Sequence, residues 1–251
     1  MKLDVLAIAA HPDDVELCCS GTLAALARSG KKCGILDLTQ GEMGTRGTPM
    51  QRLEEAQEAA RILGMRVRLN AGLPDCGLEN TTEHRETIIR HVRALRPEVC
   101  LINAPEDRHP DHRNAAQLSL DALFYSGLSK LRTSDESGTA QEPWRPHHIM
   151  HFMQHWPFAP TFVFDITSTI DLKEKAILAF GSQFNVKGAD GDADEEPETY
   201  VSSPRFFEAL RGRARDYGQR IGVDFGEPFL YYNGPVALKN FDVLLETQPQ
   251  R

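Results

Sequence analysis

Residues 3–16 read LDVLAIAAHPDDVE, and this stretch decides the fold class of the chain. Its first eight residues, 3–10, form the short apolar run that a central parallel strand needs, because such a strand is buried on both faces. A histidine and two aspartates follow at once, at His11, Asp13 and Asp14. The stretch therefore predicts a buried first strand that ends in a polar loop.

Strand and helix patterns alternate outward from this stretch, through the first two-thirds of the 251 residues. The remaining strands of this part are predicted at 33–38, 67–70 and 99–103, and the helices at 17–29, 51–63, 82–95 and 112–125. Such alternation predicts an α/β fold with a mostly parallel sheet and helices on both faces, as in Rossmann-like proteins.

The last third of the chain has a less regular pattern. Strands are predicted at 149–153 and 161–166, helices at 172–180 and 204–221, and a mobile Gly- and acid-rich loop at 186–198. We expect one domain over residues 1–251, with the polar segment near 130–145 as the alternative place for a boundary.

Composition excludes several classes of partner. The net charge is −8 and the sequence pI is near 5.6, which disfavours nucleic acid and acidic membranes, although a local basic pocket for a small anion stays open. Five cysteines without a CxxC motif indicate reduced thiols. No apolar run approaches the roughly 20 residues of a membrane helix. We expect a cytoplasmic protein with neither nucleic-acid nor membrane partners.

Polar clusters follow the first four predicted strands. They lie at 11–14, 40–46, 74–77 and 106–112. The carboxyl ends of parallel strands meet at one edge of a sheet, and ligands of open α/β sheets bind there. The sequence therefore predicts that four loops converge on one binding site.

The first cluster is suited to a metal ion. Imidazole nitrogen and carboxylate oxygen are both good zinc ligands, and His11 is followed closely by Asp13 and Asp14. Neighbouring aspartates cannot both point the same way in an extended turn, so one can bind the metal while the other faces the attacking water. The alternative is that either aspartate only caps the next helix, where Asp is favoured.

The fourth cluster adds His109, Asp111 and His112. A catalytic zinc typically has three protein ligands and one open position. His11, one aspartate and one histidine of this cluster complete such a set, and the other histidine is left for acid–base or oxyanion work. A charged surface loop is the alternative, and it is less favoured because both clusters follow strands.

The two motifs HPDD at 11–14 and HPDH at 109–112 resemble the LmbE/PIG-L family of zinc-dependent N-acetylglucosamine deacetylases. Segments 38–42, 52–56, 73–78 and 182–184 also look like family positions. The form EDRHPDH at 106–112 and the chain length are most similar to the branch that deacetylates N-acetylglucosaminyl malate in bacillithiol synthesis.

This resemblance implies the metal ligands and the base. Zn²⁺, one ion per chain, would be held by His11, Asp14 and His112. Asp13 would be the general base that takes a proton from the attacking water and later delivers it to the leaving amine. The chemistry is reasonable, because zinc polarises a carbonyl and a nearby carboxylate can accept the proton.

The resemblance also implies residues that contact the substrate. His109 in its charged form would stabilise the oxyanion, with Asp111 as its orienting partner, since a carboxylate raises the pKa of a histidine. Arg52 would bind a substrate hydroxyl or carboxylate, Arg108 is a second candidate for an anion, and Tyr200 resembles a tyrosine that assists at the oxyanion.

Alternatives and partners complete the predictions. Another small N-acetylated sugar or amide is the alternative substrate, and Fe²⁺ or Co²⁺ are alternative metals. We expect a small sugar substrate and a homo-oligomer.

Two other classes of protein are disfavoured. A dinucleotide-dependent oxidoreductase is rejected because the first turn has no GxGxxG motif. A non-catalytic sensor is disfavoured because it needs neither a base nor an oxyanion group.

Two further groups of side chains are assigned structural roles. The histidines at 147, 148, 151 and 155 indicate a strand edge with ordinary polar partners rather than a second metal site. The arginines of the predicted helix 204–221 indicate a solvated or subunit-contacting face.

Overall fold

The computed structural model describes residues 1–184 and 199–235, and the predicted loop at 186–198 lies outside them. Seven strands form one sheet: β1 (Val5–Ala9), β2 (Cys33–Asp37), β3 (Val67–Asn70), β4 (Val99–Ile102), β5 (His148–Phe152), β6 (Phe162–Asp165) and β7 (Gly226–Tyr231). Their order is β3-β2-β1-β4-β5-β7-β6. The first five are parallel, and β7 runs antiparallel to both of its neighbours. The predicted mostly parallel α/β sheet is confirmed.

Helices cover both faces of this sheet. They are α1 (Asp14–Cys18), α2 (Ser20–Arg28), α3 (Pro49–Leu63), α4 (Thr82–Leu95), α5 (Pro110–Tyr125), α6 (Ile170–Leu178) and α7 (Pro204–Arg220). Successive side chains of a strand point to opposite faces. On β1, Leu6 and Ile8 therefore pack in the core beneath α4 and α5, whereas Ala7 packs in the core on the other face, with Val15 and Leu23.

The helix predicted at 17–29 is two helices. Lys173 Nζ donates a hydrogen bond to the Leu17 carbonyl at the end of α1, at 3.0 Å. The buried Glu227 carboxylate accepts the N–H of Thr22 in the first turn of α2, at 2.8 Å. Both partners come from distant parts of the chain, so local periodicity does not show the break between α1 and α2.

Strand β7 was not predicted, and Pro228 explains why. Proline has no N–H for the ladder and is confined mostly to edges. In the structure Pro228 pairs with Val163 of β6, while the pairing with β5 begins one residue later, at Phe229. Pro228 therefore pairs with β6 only. Because it has no pairing partner in β5, its missing N–H does not interrupt the ladder between β5 and β7.

The strand order reverses between β1 and β4, because β2 and β3 extend the sheet on one side and β5 extends it on the other. The loops that follow β1 and β4 flank this point, which is where open α/β sheets bind ligands. Within residues 1–184 and 199–235, no helix has the length and apolar character needed to cross a bilayer.

Candidate active site

Three imidazoles from the two predicted loops meet at this edge of the sheet. The ring centroids of His11 and His112 are 5.4 Å apart, and His109 lies 4.9 Å from His11 and 5.0 Å from His112. One ring nitrogen of each lies within 4.8 Å of the others. His11 and His112 are therefore close enough to share one ion.

The Asp14 carboxylate lies between His11 and His112. Its Oδ1 is 3.1 Å from Nε2 of His112, and its Oδ2 is 3.6 Å from Nδ1 of His11. Burial opposes ionisation of Asp14, but the charge of His112 and the hydrogen bonds of both imidazoles hold its pKa well below the usual range. Asp14 is thus an anionic side chain that faces two imidazole nitrogens.

Two further carboxylates fix the far sides of these imidazoles. Nε2 of His11 donates to Asp75 at 3.0 Å, and Nδ1 of His112 donates to Asp107 at 2.8 Å. In a neutral ring, this donation leaves the lone pair on the other ring nitrogen, and in both histidines that nitrogen is the one that faces Asp14. A carboxylate behind a ligating histidine is the usual arrangement at metal sites. Sequence reasoning placed Asp75 and Asp107 in the converging loops but gave them no role.

This donor set fits a divalent cation. Two imidazole nitrogens and one carboxylate oxygen suit Zn²⁺, Fe²⁺ or Co²⁺. The surroundings also favour positive charge. Burial alone would lower the pKa of His112, but the carboxylates of Asp14 and Asp107 outweigh this effect and raise the pKa to about 9. Besides the three imidazoles, a second group of donor atoms, from His11, Asp75 and Asp111, lies within 4.8 Å. We favour the set that contains Asp14, because its two oxygens face both His11 and His112, whereas Asp75 and Asp111 face His11.

Asp13 adopts a strained backbone and does not cap the helix. Its φ is 115°, a region that side chains other than glycine rarely enter, and such strain is concentrated at functional sites. Its carboxylate makes no capping hydrogen bond to α1. Burial raises the pKa of Asp13 to about 7, against the opposing charge of Arg52. The alternative role of Asp13 as a helix cap is therefore wrong.

Arg52 lines the cavity, and its role in binding substrate stays a prediction, because most of its donors face the chain's own oxygens. Its Nη1 donates to the Gly41 carbonyl at 2.9 Å and its Nη2 to the Pro12 carbonyl at 2.7 Å, and Nη2 lies 3.4 Å from Asp13. Its Nε is buried and has no partner among the described residues. Gly41 has φ +67° and leaves no room for a Cβ beside the guanidinium. The anion that Arg52 faces is the chain's own Asp13.

His109 and Asp111 are also arranged differently from the predicted pair. The main-chain N–H of Asp111 donates to Nδ1 of His109 at 3.2 Å, which leaves the proton of a neutral ring on Nε2. The Asp111 carboxylate accepts the N–H of Cys76 at 2.7 Å and lies 3.6 Å from His11. Burial and the neighbouring imidazoles lower the pKa of His109, so the neutral form is favoured over the expected charged form.

Arg108 and Tyr200 lie side by side near the site. The guanidinium of Arg108 is 5.1 Å from the centroid of the Tyr200 ring, and Tyr200 also contacts the rings of His155 and Phe206. Arg108 lines the cavity, whereas Tyr200 is 53% exposed and is absent from its described lining. The contact of Tyr200 with an oxyanion stays a prediction.

Two buried amides hold the Asp14 carboxylate. Asn103 accepts the N–H of Ala10 and Gln154 accepts the N–H of Ala104, and a backbone N–H can only donate. The oxygen of each side chain is thereby assigned, so both NH₂ groups face Asp14, at 3.3 Å from Asn103 and 3.2 Å from Gln154. Neither residue belongs to a recognisable motif, and sequence reasoning missed both.

The site opens into a cavity of about 260 Å³. One part of the lining, which we call the polar side, consists of the polar residues described above, together with Leu17 and Cys18 of α1. The part that comes from the chain beyond residue 200, which we call the C-terminal wall, consists of Val201, Phe206, Leu210 and Arg213. Sequence reasoning assigned the arginines of this helix to a solvated or subunit-contacting face, so the position of Arg213 in the cavity was missed.

Three histidines of the second group have ordinary polar partners, whereas the fourth, His155, lines the cavity. His147 pairs with Glu98 and His148 with Tyr231, both near the surface. His151 is buried and donates from Nδ1 to a main-chain carbonyl at 2.6 Å, and burial lowers its pKa. None of these three residues belongs to a potential metal-binding group in the described part of the chain.

Comparisons with known proteins agree with this geometry. The family model for PIG-L, described as GlcNAc-PI de-N-acetylase, matches residues 6–123. Diacetylchitobiose deacetylase of Thermococcus kodakarensis is 32% identical over 190 residues, which cover 72% of this chain and 70% of that protein.

Solved structures show the same relationship. A conserved protein of Thermus thermophilus is 40% identical with a TM-score of 0.81, covering 94% of this chain and 97% of that one. The N,N'-diacetylchitobiose deacetylase of Pyrococcus horikoshii is 26% identical with a TM-score of 0.75, covering 92% and 83%. The chain belongs to the PIG-L family of deacetylases.

Proposed function

We propose that the protein is a zinc-dependent amide hydrolase that removes the acetyl group from an N-acetylglucosaminyl conjugate. The observation that carries this proposal is the Asp14 carboxylate between His11 and His112, with the partly buried Asp13 next to it in the chain. This arrangement would provide metal ligands and a base in one site. Two of the relatives named above are diacetylchitobiose deacetylases, which supports an N-acetylated sugar as substrate.

The bound metal ion would be held by His11, Asp14 and His112. When bound there, the ion would supply polarisation of the amide carbonyl and a water that is a better nucleophile near neutral pH. Asp13 then accepts one proton from the attacking water as the new C–O bond forms. When the C–N bond breaks, Asp13 delivers that proton to the leaving nitrogen, so that the products are acetate and a free amino sugar.

His109 stabilises the negative charge that develops on the carbonyl oxygen. Its Nδ1 is occupied by the N–H of Asp111, so its Nε2–H is available to donate. A fixed donor of this kind acts in the transition state without reorganisation. Arg52 contributes indirectly, because its contacts with Asp13 and the Pro12 carbonyl hold the turn that carries the base.

We propose N-acetylglucosaminyl malate, and thus bacillithiol synthesis, as the narrow form of this function. It is supported by the likeness of residues 106–112 to that branch and by the cationic side chain of Arg108 in the cavity. A malate group needs such a cation for its carboxylates. Another small N-acetylated sugar or amide is the alternative substrate.

Two further proposals concern the setting of the enzyme. We propose that the 251 residues form one domain that assembles into a homo-oligomer, and that it acts in the cytoplasm without nucleic-acid or membrane partners. Light scattering of the purified protein tests the oligomer, and a monomer at micromolar concentration would contradict it.

The decisive experiment measures acetate release by mass spectrometry. The protein is stripped with a chelator, restored with Zn²⁺, and offered N-acetylglucosamine, N,N'-diacetylchitobiose, N-acetylglucosaminyl malate and an N-acetylated amino acid. We expect acetate only after Zn²⁺ is restored, fastest from the malate conjugate. Absence of acetate from every sugar after metal restoration rules out the proposal, and a faster chitobiose reaction rules out its narrow form.

The matched variants are Asp13→Asn and Asp171→Asn. Asparagine keeps the size of Asp13 but cannot accept the proton, so kcat should fall by about 10²- to 10⁴-fold while zinc content is retained. Asp171 is an exposed aspartate on α6, and its variant should match the unmodified protein. Full activity of Asp13→Asn would remove the assignment of the base.

A further inference from the structure

Helix α7 presents three side chains to the cavity in a defined order. Phe206, Leu210 and Arg213 are spaced at i, i+4 and i+7, which places them on one face of a helix, and all three line the cavity. The first two offer apolar surface and the third offers a guanidinium. This face therefore suits a ligand with an apolar part and a negatively charged group.

The guanidinium of Arg213 contacts main-chain carbonyls in the described part of the chain. Its Nη1 donates to the carbonyl of Gln154, and its Nη2 lies 3.5 Å from the carbonyl of Leu17. No carboxylate within residues 1–184 and 199–235 forms an ion pair with this partly buried cation, whereas such a group usually has a counter-ion.

Three other arginines of the same helix are paired. Arg211, Arg215 and Arg220 form ion pairs with Glu174, Asp224 and Asp216, respectively, and all three are exposed to solvent. Two arginines of α7 have no carboxylate partner among the described residues, and of these Arg205 is exposed whereas Arg213 lies in the cavity. A cation without a carboxylate partner does little to stabilise the fold, so an anionic ligand is the better explanation for its position in a binding site.

The remaining cations of the cavity support this assignment. Arg52 has both Nη atoms bound to the chain's own oxygens and a buried Nε. Arg108 contacts the face of Tyr200 and also has no carboxylate partner in the described part of the chain. Arg108 and Arg213 come from different segments of the chain and line one cavity.

We propose that Arg213 is a specificity-determining residue that binds an anionic group of the substrate's aglycone, together with Arg108. Phe206 and Leu210 cover the part of the aglycone between this anion and the sugar. The anionic group is a carboxylate or a phosphate, since a guanidinium binds both through paired N–H donors. This inference rests on the proposed deacetylase function and adds the residue that selects the substrate.

The test compares three substrates with the zinc-loaded full chain. They are the neutral methyl N-acetylglucosaminide, the carboxylate-bearing N-acetylglucosaminyl malate, and N-acetylglucosamine 1-phosphate. The readout is the ratio of kcat/KM for each anionic substrate to kcat/KM for the neutral one. In Arg213→Gln this ratio should fall by at least about tenfold, the usual value of a charged hydrogen bond, whereas Arg213→Lys should retain part of it. The anionic substrate whose ratio falls identifies the group as carboxylate or phosphate.

The control is Arg220→Gln, which removes a paired, exposed arginine from the same helix and should leave every ratio unchanged. Arg213→Gln also removes hydrogen bonds to two carbonyls, so its melting temperature and zinc content are measured alongside. Equal losses on neutral and anionic substrates would show that Arg213 only supports the fold, and would overturn the inference. Absence of acetate from all three substrates would instead contradict the proposed function.

Discussion

The two sides of the cavity are built in different ways. On the polar side, the carboxylate of Asp14 has partners in two imidazoles and two amides, and each imidazole that faces it has a second carboxylate behind it. On the C-terminal wall, Arg213 has no carboxylate partner among the described residues and Leu210 is only partly buried. One side is fixed by mutual hydrogen bonds, and the other keeps surface available for a ligand.

This difference follows the chain. The family model matches residues 6–123, which include His11, Asp13, Asp14, His109 and His112. The C-terminal wall begins at residue 201, beyond that match. The candidate metal ligands and base are therefore carried by the matched part, and we infer that substrate choice depends also on the part beyond it. Three substitutions test this division.

The largest effect is expected from His109→Ala on the polar side. Loss of a fixed oxyanion donor lowers kcat by about 10²- to 10³-fold, while zinc affinity changes far less, because the favoured ligands are His11, Asp14 and His112. Steady-state kinetics and zinc titration measure the two quantities. His147→Ala, at a surface histidine, is the control. If zinc affinity falls as steeply as kcat, His109 is a ligand and the assignment of Asp14 must be revised.

A smaller effect is expected from Gln154→Leu, which acts on the metal through Asp14. The substitution removes the amide that faces Oδ1 of Asp14, and loss of such a supporting group weakens metal binding by about 10- to 100-fold. Competition with a chelator gives the zinc dissociation constant, and excess zinc should restore much of the activity. Gln117→Leu on the surface of α5 is the control. A folded variant with unchanged zinc affinity would show that this amide has no positioning role.

The smallest effect is expected from Leu210→Ala on the C-terminal wall. Apolar contact with the aglycone contributes to binding but not to bond breaking, so KM should rise by about fourfold, the value of one buried methylene, with kcat little changed. Kinetics on N-acetylglucosaminyl malate measure both, and exposed Leu178→Ala is the control. A loss confined to kcat would show that Leu210 contacts the reacting groups, and would contradict the assignment of the C-terminal wall to substrate binding.

Local sequence patterns predict much of the sheet and of the polar side. Apolar runs indicate β1 to β4, and polar residues at strand ends indicate that His11 and the 109–112 motif converge. The break between α1 and α2 is not predictable in this way, because its capping groups, Lys173 and Glu227, lie far along the chain. Strand β7 is not predicted either, because a proline within a run of residues argues against a strand inside a sheet.

Side-chain partners are harder to predict than side-chain positions. Arg52 looks available for substrate until the structure shows Asp13 and two carbonyls around it. Arg213 looks solvated, because a helix with many arginines does not show which one faces inward. Asn103 and Gln154 carry no motif, and their role depends on backbone N–H groups that fix their orientation.

The left-handed backbone of Asp13 has a practical consequence for capturing a complex with intact substrate. Among residues other than glycine, aspartate and asparagine are the ones that most often adopt a positive φ, such as the strained value of 115° at this position. Asparagine therefore prevents proton transfer and keeps the conformation of the loop. With alanine or glutamate, we expect the turn to change conformation and the neighbouring Asp14 to move with it. An asparagine-substituted protein is accordingly the preferred starting point for crystals soaked with unreacted sugar.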